Sequence, residues 1–129
     1  MTVLLLTDLE GVAGVDRIPD LLHGQPGHGR AQWLLLDEIA AACAGLREGP
    51  LAPTPILIAD THHGGPAPTV PAFPLPPGTT LARTPGLLDP TFLDGIDALA
   101  CLGLHAAATG FAPHTVDLAC HWESDRRPV

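Results

Sequence analysis

Three short, almost wholly apolar runs dominate this sequence, and each stops at one or more acidic or imidazole side chains. Residues 2–6 (TVLLL) run into TDLEG, residues 55–59 (PILIA) into DTHH, and residues 98–104 (ALACLGL) into His105. Unbroken apolar runs belong to strands covered on both faces, which is the situation in a parallel sheet. Parallel neighbours need a crossover between them. The segment at about 31–47 (AQWLLLDEIAAACAGLR) supplies one as a helix. Trp33, Leu36, Ile39, Ala40 and Cys43 fall at helical spacing there, and Gly49-Pro50 closes the element. The expected fold class is therefore α/β, a mostly parallel sheet flanked by helices. Weaker signals predict a short strand at 79–82, a helical turn at 87–92, a strand at 115–119 and a turn at 124–127. Residues 64–77 hold six prolines, which fix φ and remove donors, so they read as a surface crossover. The Gly-rich stretch 21–30 reads as irregular. No repeat or linker divides residues 1–129, which are read as a single α/β metal-binding domain.

The metal reading comes from where the three runs end. In open α/β sheets, ligands bind beyond the carboxyl ends of the strands. Three strands of one sheet would bring Asp8, Glu10, Asp60, His62, His63 and His105 to one edge. Residues i and i+2 of a strand point the same way and lie about 6–7 Å apart, so Asp8 and Glu10 are expected to converge, with Leu9 turned toward the core. Two carboxylates this close resist joint ionisation unless a cation lies between them. Imidazoles beside them select Zn²⁺ over Mg²⁺ or Ca²⁺, which prefer shells of oxygen alone.

Each residue also has a plainer reading. A D-x-E-G sequence by itself is more often a pair of loop carboxylates than a metal site. His62 and His63 are adjacent and face different ways, so only one of them is taken as a ligand, and His62 occupies the i+2 position from Asp60. Asp60 can cap its loop or orient His62 from behind. His114, in FAPHT, is either a surface residue or a proton carrier beside the metal. His23 and His28 read as solvent-facing, His121 and Trp122 as ordinary strand residues, and Trp33 as core.

Composition removes several function classes. The 129 residues carry a net charge of −8, and all six basic residues are scattered arginines. Nucleic acid binding needs clustered positive charge and is not expected. With no lysine, Schiff-base chemistry has no donor in this sequence. Cys43, Cys101 and Cys120 are an odd set without a C-x-x-C pair, and their Ala and Leu surroundings predict buried thiols in a reducing compartment. No apolar stretch reaches the roughly 20 residues that span a membrane, and MTVLLLTDLEG lacks the basic start of a signal peptide. The expectation is a cytoplasmic protein with no nucleic acid or membrane partner.

Four motifs together resemble a known family. TDLEGVAG is similar to the S-x-D-x-E-G-x-x-G opening of the zinc-dependent D-aminopeptidases of the DppA type. ADTHHG resembles that family's N-D-S-H segment, CLGLHAAATG its F-L-G-Y-H-A segment, and FAPHT its short histidine loop. HGRAQWLLLDEIAAACAGLREG resembles its first long helix, and the order is the same along nearly the whole chain. The resemblance implies two Zn²⁺ ions bridged by Asp8, with Glu10 and His62 completing one and His105 serving the other. It implies His114 as the catalytic histidine, as nucleophile, acid/base or oxyanion partner. The implied reaction is release of an N-terminal D-amino acid from a short peptide, by a homo-oligomer. The family pattern also has a further Glu ligand in a G-E-L segment after D-R-P-V, then a second domain. This sequence reads SDRRPV up to Val129. The expectation is therefore an N-terminal portion of a truncated or split protein, with little or no activity alone and a possible complementing C-terminal chain. An inactive metal-binding fragment is the alternative reading.

Overall fold

Strands β1 (Val3–Thr7), β2 (Ile56–Asp60), β3 (Thr79–Leu81) and β4 (Ala98–Leu102) form one sheet in the order β3-β2-β1-β4, with every pairing parallel. The computed structural model describes residues 1–50, 52, 55–62, 68–71, 74–82 and 90–105. Central β1 has neighbours on both sides, and its Val3, Leu4 and Leu5 are buried, as an apolar run requires. Thr7 is level with Asp60 on one side and with Leu102 on the other. The three apolar strands thus end together, which gives their following residues a common edge.

Two helices precede β2: a short α1 (Ile18–Leu21) and the long α2 (His28–Glu48). Ala31, Leu35, Ile39 and Cys43 recur every four residues and form one buried stripe on α2. That stripe packs against Leu5, Ile56 and Ile58 from the sheet and Leu9, Val12 and Val15 from the loop after β1. The α2 helix starts at His28, three residues before the sequence pattern becomes periodic, and Gly49 closes it with its N–H on the Gly45 carbonyl at 3.1 Å. Helix α1 lies mostly before the stretch read as irregular and overlaps it only at Leu21. Pro19 sits at its start, where a missing N–H costs nothing.

Three burial expectations are corrected. Trp33 is 59% exposed, and Ala40 is exposed too. Trp33 lies two residues from both Ala31 and Leu35, so at about 100° per residue it points away from the buried stripe. It lines a groove with Leu75 and Pro76 instead. Cys43 is buried, but Cys101 is exposed on β4, whose Ala100 and Leu102 take the core-facing positions. The expected turn at 87–92 is met in part by a 3₁₀ turn, Pro90–Leu93. The strand at 115–119, the turn at 124–127, Cys120, His121 and Trp122 lie outside the described residues. Among the described residues no helix is long and apolar enough to cross a membrane.

Candidate metal centre

The loop after β1 is clamped between the ends of its two neighbours. The Asp8 N–H donates to the Leu102 carbonyl at 2.9 Å, and the Thr61 N–H and hydroxyl both donate to the Thr7 carbonyl at 2.9 Å. Further on, the Gly11 N–H donates to the Gly103 carbonyl at 2.8 Å. Gly103 has φ +68°, and a Cβ there would sit 2.1 Å from the Asp8 carbonyl oxygen. A Cβ on Gly11 would come within 2.6 Å of the Gly103 carbonyl oxygen. Only glycine permits this approach, and the approach brings Asp8 toward His105. Asp8 and Glu10 do converge, though by a different route from strand alternation. Strand β1 stops at Thr7, and a turn closed by the Val12 N–H on the Leu9 carbonyl at 3.2 Å buries Leu9 and leaves both carboxyls on the edge.

Asp8 lies between two imidazoles. Its Oδ1 is 3.3 Å from His62 Nδ1, and its Oδ2 is 3.2 Å from His105 Nε2. Glu10 Oε2 is 2.9 Å from the same His62 nitrogen. Ligand atoms of Asp8, Glu10 and His105 lie within 4.8 Å of one another and could hold a metal ion. Two ligand atoms bound to one tetrahedral zinc would lie about 3.3 Å apart, given bonds of roughly 2.0–2.1 Å. The contacts of Asp8 with the two imidazoles are of that length, while the Glu10 contact with His62 is a shorter hydrogen bond.

Burial makes this cluster electrostatically demanding. The side chains of Asp8, His62 and His105 are almost fully covered, and Glu10 is mostly so. Burial pushes the Asp8 carboxyl up to about 6, against the pull of His62. Burial also opposes the charge on Glu10, but hydrogen bonds with His62 and Asp8 outweigh it and hold the carboxyl at about 2. His62 behaves likewise: burial disfavours the imidazolium, while Asp8 and Glu10 raise it to about 10. Without a cation, the two carboxyls thus retain a proton on His62.

The nitrogen of His62 that faces the carboxyls is fixed from behind. Nε2 lies 2.8 Å from the Leu21 carbonyl, which can only accept, so Nε2 carries a proton and Nδ1 is turned toward Asp8 and Glu10. Asp60 plays the structural part foreseen for it. Its carboxylate accepts the N–H groups of His62 at 3.2 Å, Thr69 at 2.5 Å and Val70 at 2.9 Å, which ties residues 69 and 70 to the end of β2. His28, at the start of α2, is buried, contrary to the solvent-facing expectation, with its Nδ1 3.0 Å from the Asp20 carbonyl of α1. His23 is exposed as expected. His63 and His114 lie outside the described residues. Sequence reasoning missed Gly103, Gly11 and the Leu21 carbonyl. The glycine just before Leu104-His105 was the signal available for the first; a backbone carbonyl leaves none.

A family model described as D-aminopeptidase, peptidase M55, matches residues 1–122. The chain belongs to this D-aminopeptidase family. No curated protein and no solved structure matches it. Membership in this family of peptidases carries the general class of reaction, hydrolysis of a peptide bond. The matched span includes every residue of the cluster and the FAPHT segment with His114.

Proposed function

We propose that this D-aminopeptidase family member hydrolyses short peptides with an N-terminal D-amino acid, using two Zn²⁺ ions that share Asp8. The observation that carries the reading is the placement of Asp8, with one carboxylate oxygen toward each of two imidazoles. The donor set fits zinc: two carboxylates with two histidines in a nearly dry pocket, at spacings close to a tetrahedral edge. Glu10 and His62 complete one ion's shell and His105 serves the other. Bound zinc supplies a water acidified toward neutrality and polarises the scissile carbonyl. The residues of the chain do the rest. His62 is held in one tautomer by Leu21, Asp8 would be shared by the two ions, and the buried walls keep bulk water from the carboxyls. His114 is proposed as the catalytic histidine from its family correspondence.

These residues serve the two ions unequally. Asp8, Glu10 and His62 give the first ion three protein ligands, the usual number for catalytic zinc. Among the described residues, Asp8 and His105 give the second two, so it should bind more weakly. That count also favours a second reading, a metal-binding module that stays inactive until a further ligand is supplied, by added sequence or by another chain. The test is hydrolysis of D-Ala and L-Ala dipeptides by the 129 residues, alone and extended by a G-E-L-type segment and second domain. EDTA-sensitive hydrolysis of the D-peptide, restored by zinc and strong only in the extended form, is expected. Equal rates on the L-peptide would contradict the substrate assignment, and rates insensitive to EDTA would contradict the metal. Equal activity in both forms would refute the ligand count.

A further inference from the structure

We propose that His28 is a positioning residue of the metal centre, acting on His62 through two consecutive backbone carbonyls. The inference rests on the metal reading of His62 and adds a component that the ligand set does not contain. His28 is the first residue of α2 and is 5% exposed. A carbonyl can only accept, so the His28 Nδ1–H donates to the Asp20 carbonyl at 3.0 Å. The next carbonyl along the chain, that of Leu21, accepts the His62 Nε2–H at 2.8 Å. Two histidines, from α2 and from the end of β2, thus grip adjacent peptide groups of α1.

Helix α1 needs such ties. A helix of four residues has no stability of its own, and the carbonyls of a helix's last turn lack intrahelical partners. Besides the Leu22 N–H on the Pro19 carbonyl at 3.3 Å and the packing of Leu21 against the core, two further ties bear on the same residue as the His28 bond. Arg17 donates to both carboxylate oxygens of Asp20, at 2.8 and 3.3 Å. Gly27, next to His28, lies so close that a Cβ on it would meet Asp20 Oδ1 at 1.7 Å. The 20–21 peptide therefore sits where His28 and its neighbours hold it, and the Leu21 carbonyl sets the ring direction of His62. If the 20–21 peptide moves, Nδ1 loses its aim at Asp8 and Glu10. Groups that orient a ligating histidine from the second layer are typically worth about 10–100-fold in metal affinity. His28 acts one step further out, so a loss near the lower end, about tenfold, is expected.

The test is zinc affinity by chelator competition for the parent chain, His28→Ala, His28→Asn, His28→Gln and, as a control, Asp8→Ala. Ring ¹⁵N shifts of His62 are recorded in the zinc-loaded forms. Asparagine can place an amide N–H near the position of Nδ1, and glutamine places it near that of Nε2. The inference expects about tenfold weaker zinc binding in His28→Ala and His28→Gln. It expects near-parental binding in His28→Asn, with the parental His62 shifts. A space-filling role for His28 would instead make asparagine and glutamine equivalent. Equal affinity for those two variants, or parental affinity in His28→Ala, overturns the inference. If His28→Ala does not fold, the asparagine and glutamine pair decides. If Asp8→Ala binds zinc like the parent, the metal reading fails and the inference falls with it. If Asp8→Ala loses zinc while His28→Ala does not, the metal reading stands and the positioning role alone is refuted.

Discussion

Ile39 on α2 and Asp8 beyond β1 are both cut off from water, at 0% and 5% exposure, but their burial has opposite consequences. Around Ile39 the chain meets its own needs, because apolar side chains from α2, the sheet and the loop after β1 fill the space between them. Around Asp8 it does not. Two carboxyls and two imidazoles share a dry edge, and they remain there by keeping a proton that a cation would displace. The helix-facing layer supplies stability, while the strand ends hold groups that are costly to bury without a ligand. Substitutions in the two regions should therefore separate stability from metal binding.

The largest separation is expected for Asp8→Asn, which keeps the shape and removes the charge. Zinc affinity should fall by more than about 100-fold, beyond the range typical of outer-layer groups. The melting temperature of the metal-free protein should not drop, because burial already disfavours the ionised form of Asp8. A melting temperature that falls as far as the affinity would erase the contrast. The mirror experiment is Ile39→Ala, which should cost about 2–5 kcal/mol in denaturant unfolding through lost contacts and a cavity. Zinc affinity measured on the folded fraction should be unchanged.

Gly103→Ala sharpens the boundary between the regions. The new Cβ would meet the Asp8 carbonyl oxygen, and φ +68° is strained for alanine. A stability loss of about 1–3 kcal/mol from the backbone alone is expected, together with weaker zinc binding, since Asp8 must shift. Unchanged zinc affinity would show that the loop position does not matter to the site.

The smallest effect is a pH dependence. The folded-state value of His62, about 10, lies above its ordinary 6.5, so its contribution to metal-free stability is complete below pH 6.5 and is lost as pH rises through 10. Asp8 adds a loss between pH 3.8 and about 6, and Glu10 opposes it, contributing above pH 4.5 and losing that as pH falls through about 2. The melting temperature in EDTA should therefore decline from pH 6.5 to 10. Zinc binding needs His62 without its Nδ1 proton, so saturating zinc should reduce that decline. An equal slope with and without zinc would detach His62 from the metal.

Much of this was legible in the chain's own pattern. The apolar runs at 2–6, 55–59 and 98–104 marked three strands within a residue or two, and their parallel pairing followed from the absence of alternation. The convergence of Asp8, Glu10, His62 and His105 followed from the shared carboxyl edge. Trp33 misled because apolar character was counted as burial, although the stripe Ala31, Leu35, Ile39 and Cys43 already filled the inward face. His28 was invisible because its partner is a backbone carbonyl, and α1 because four residues carry no periodicity.

The central claim is that the strand-end cluster is a metal centre, and metal analysis of the dialysed protein beside Asp8→Ala tests it most directly. The account predicts at least one zinc per chain in the parent and a background level in the variant. Background zinc in the parent, or equal zinc in the two proteins, would contradict it.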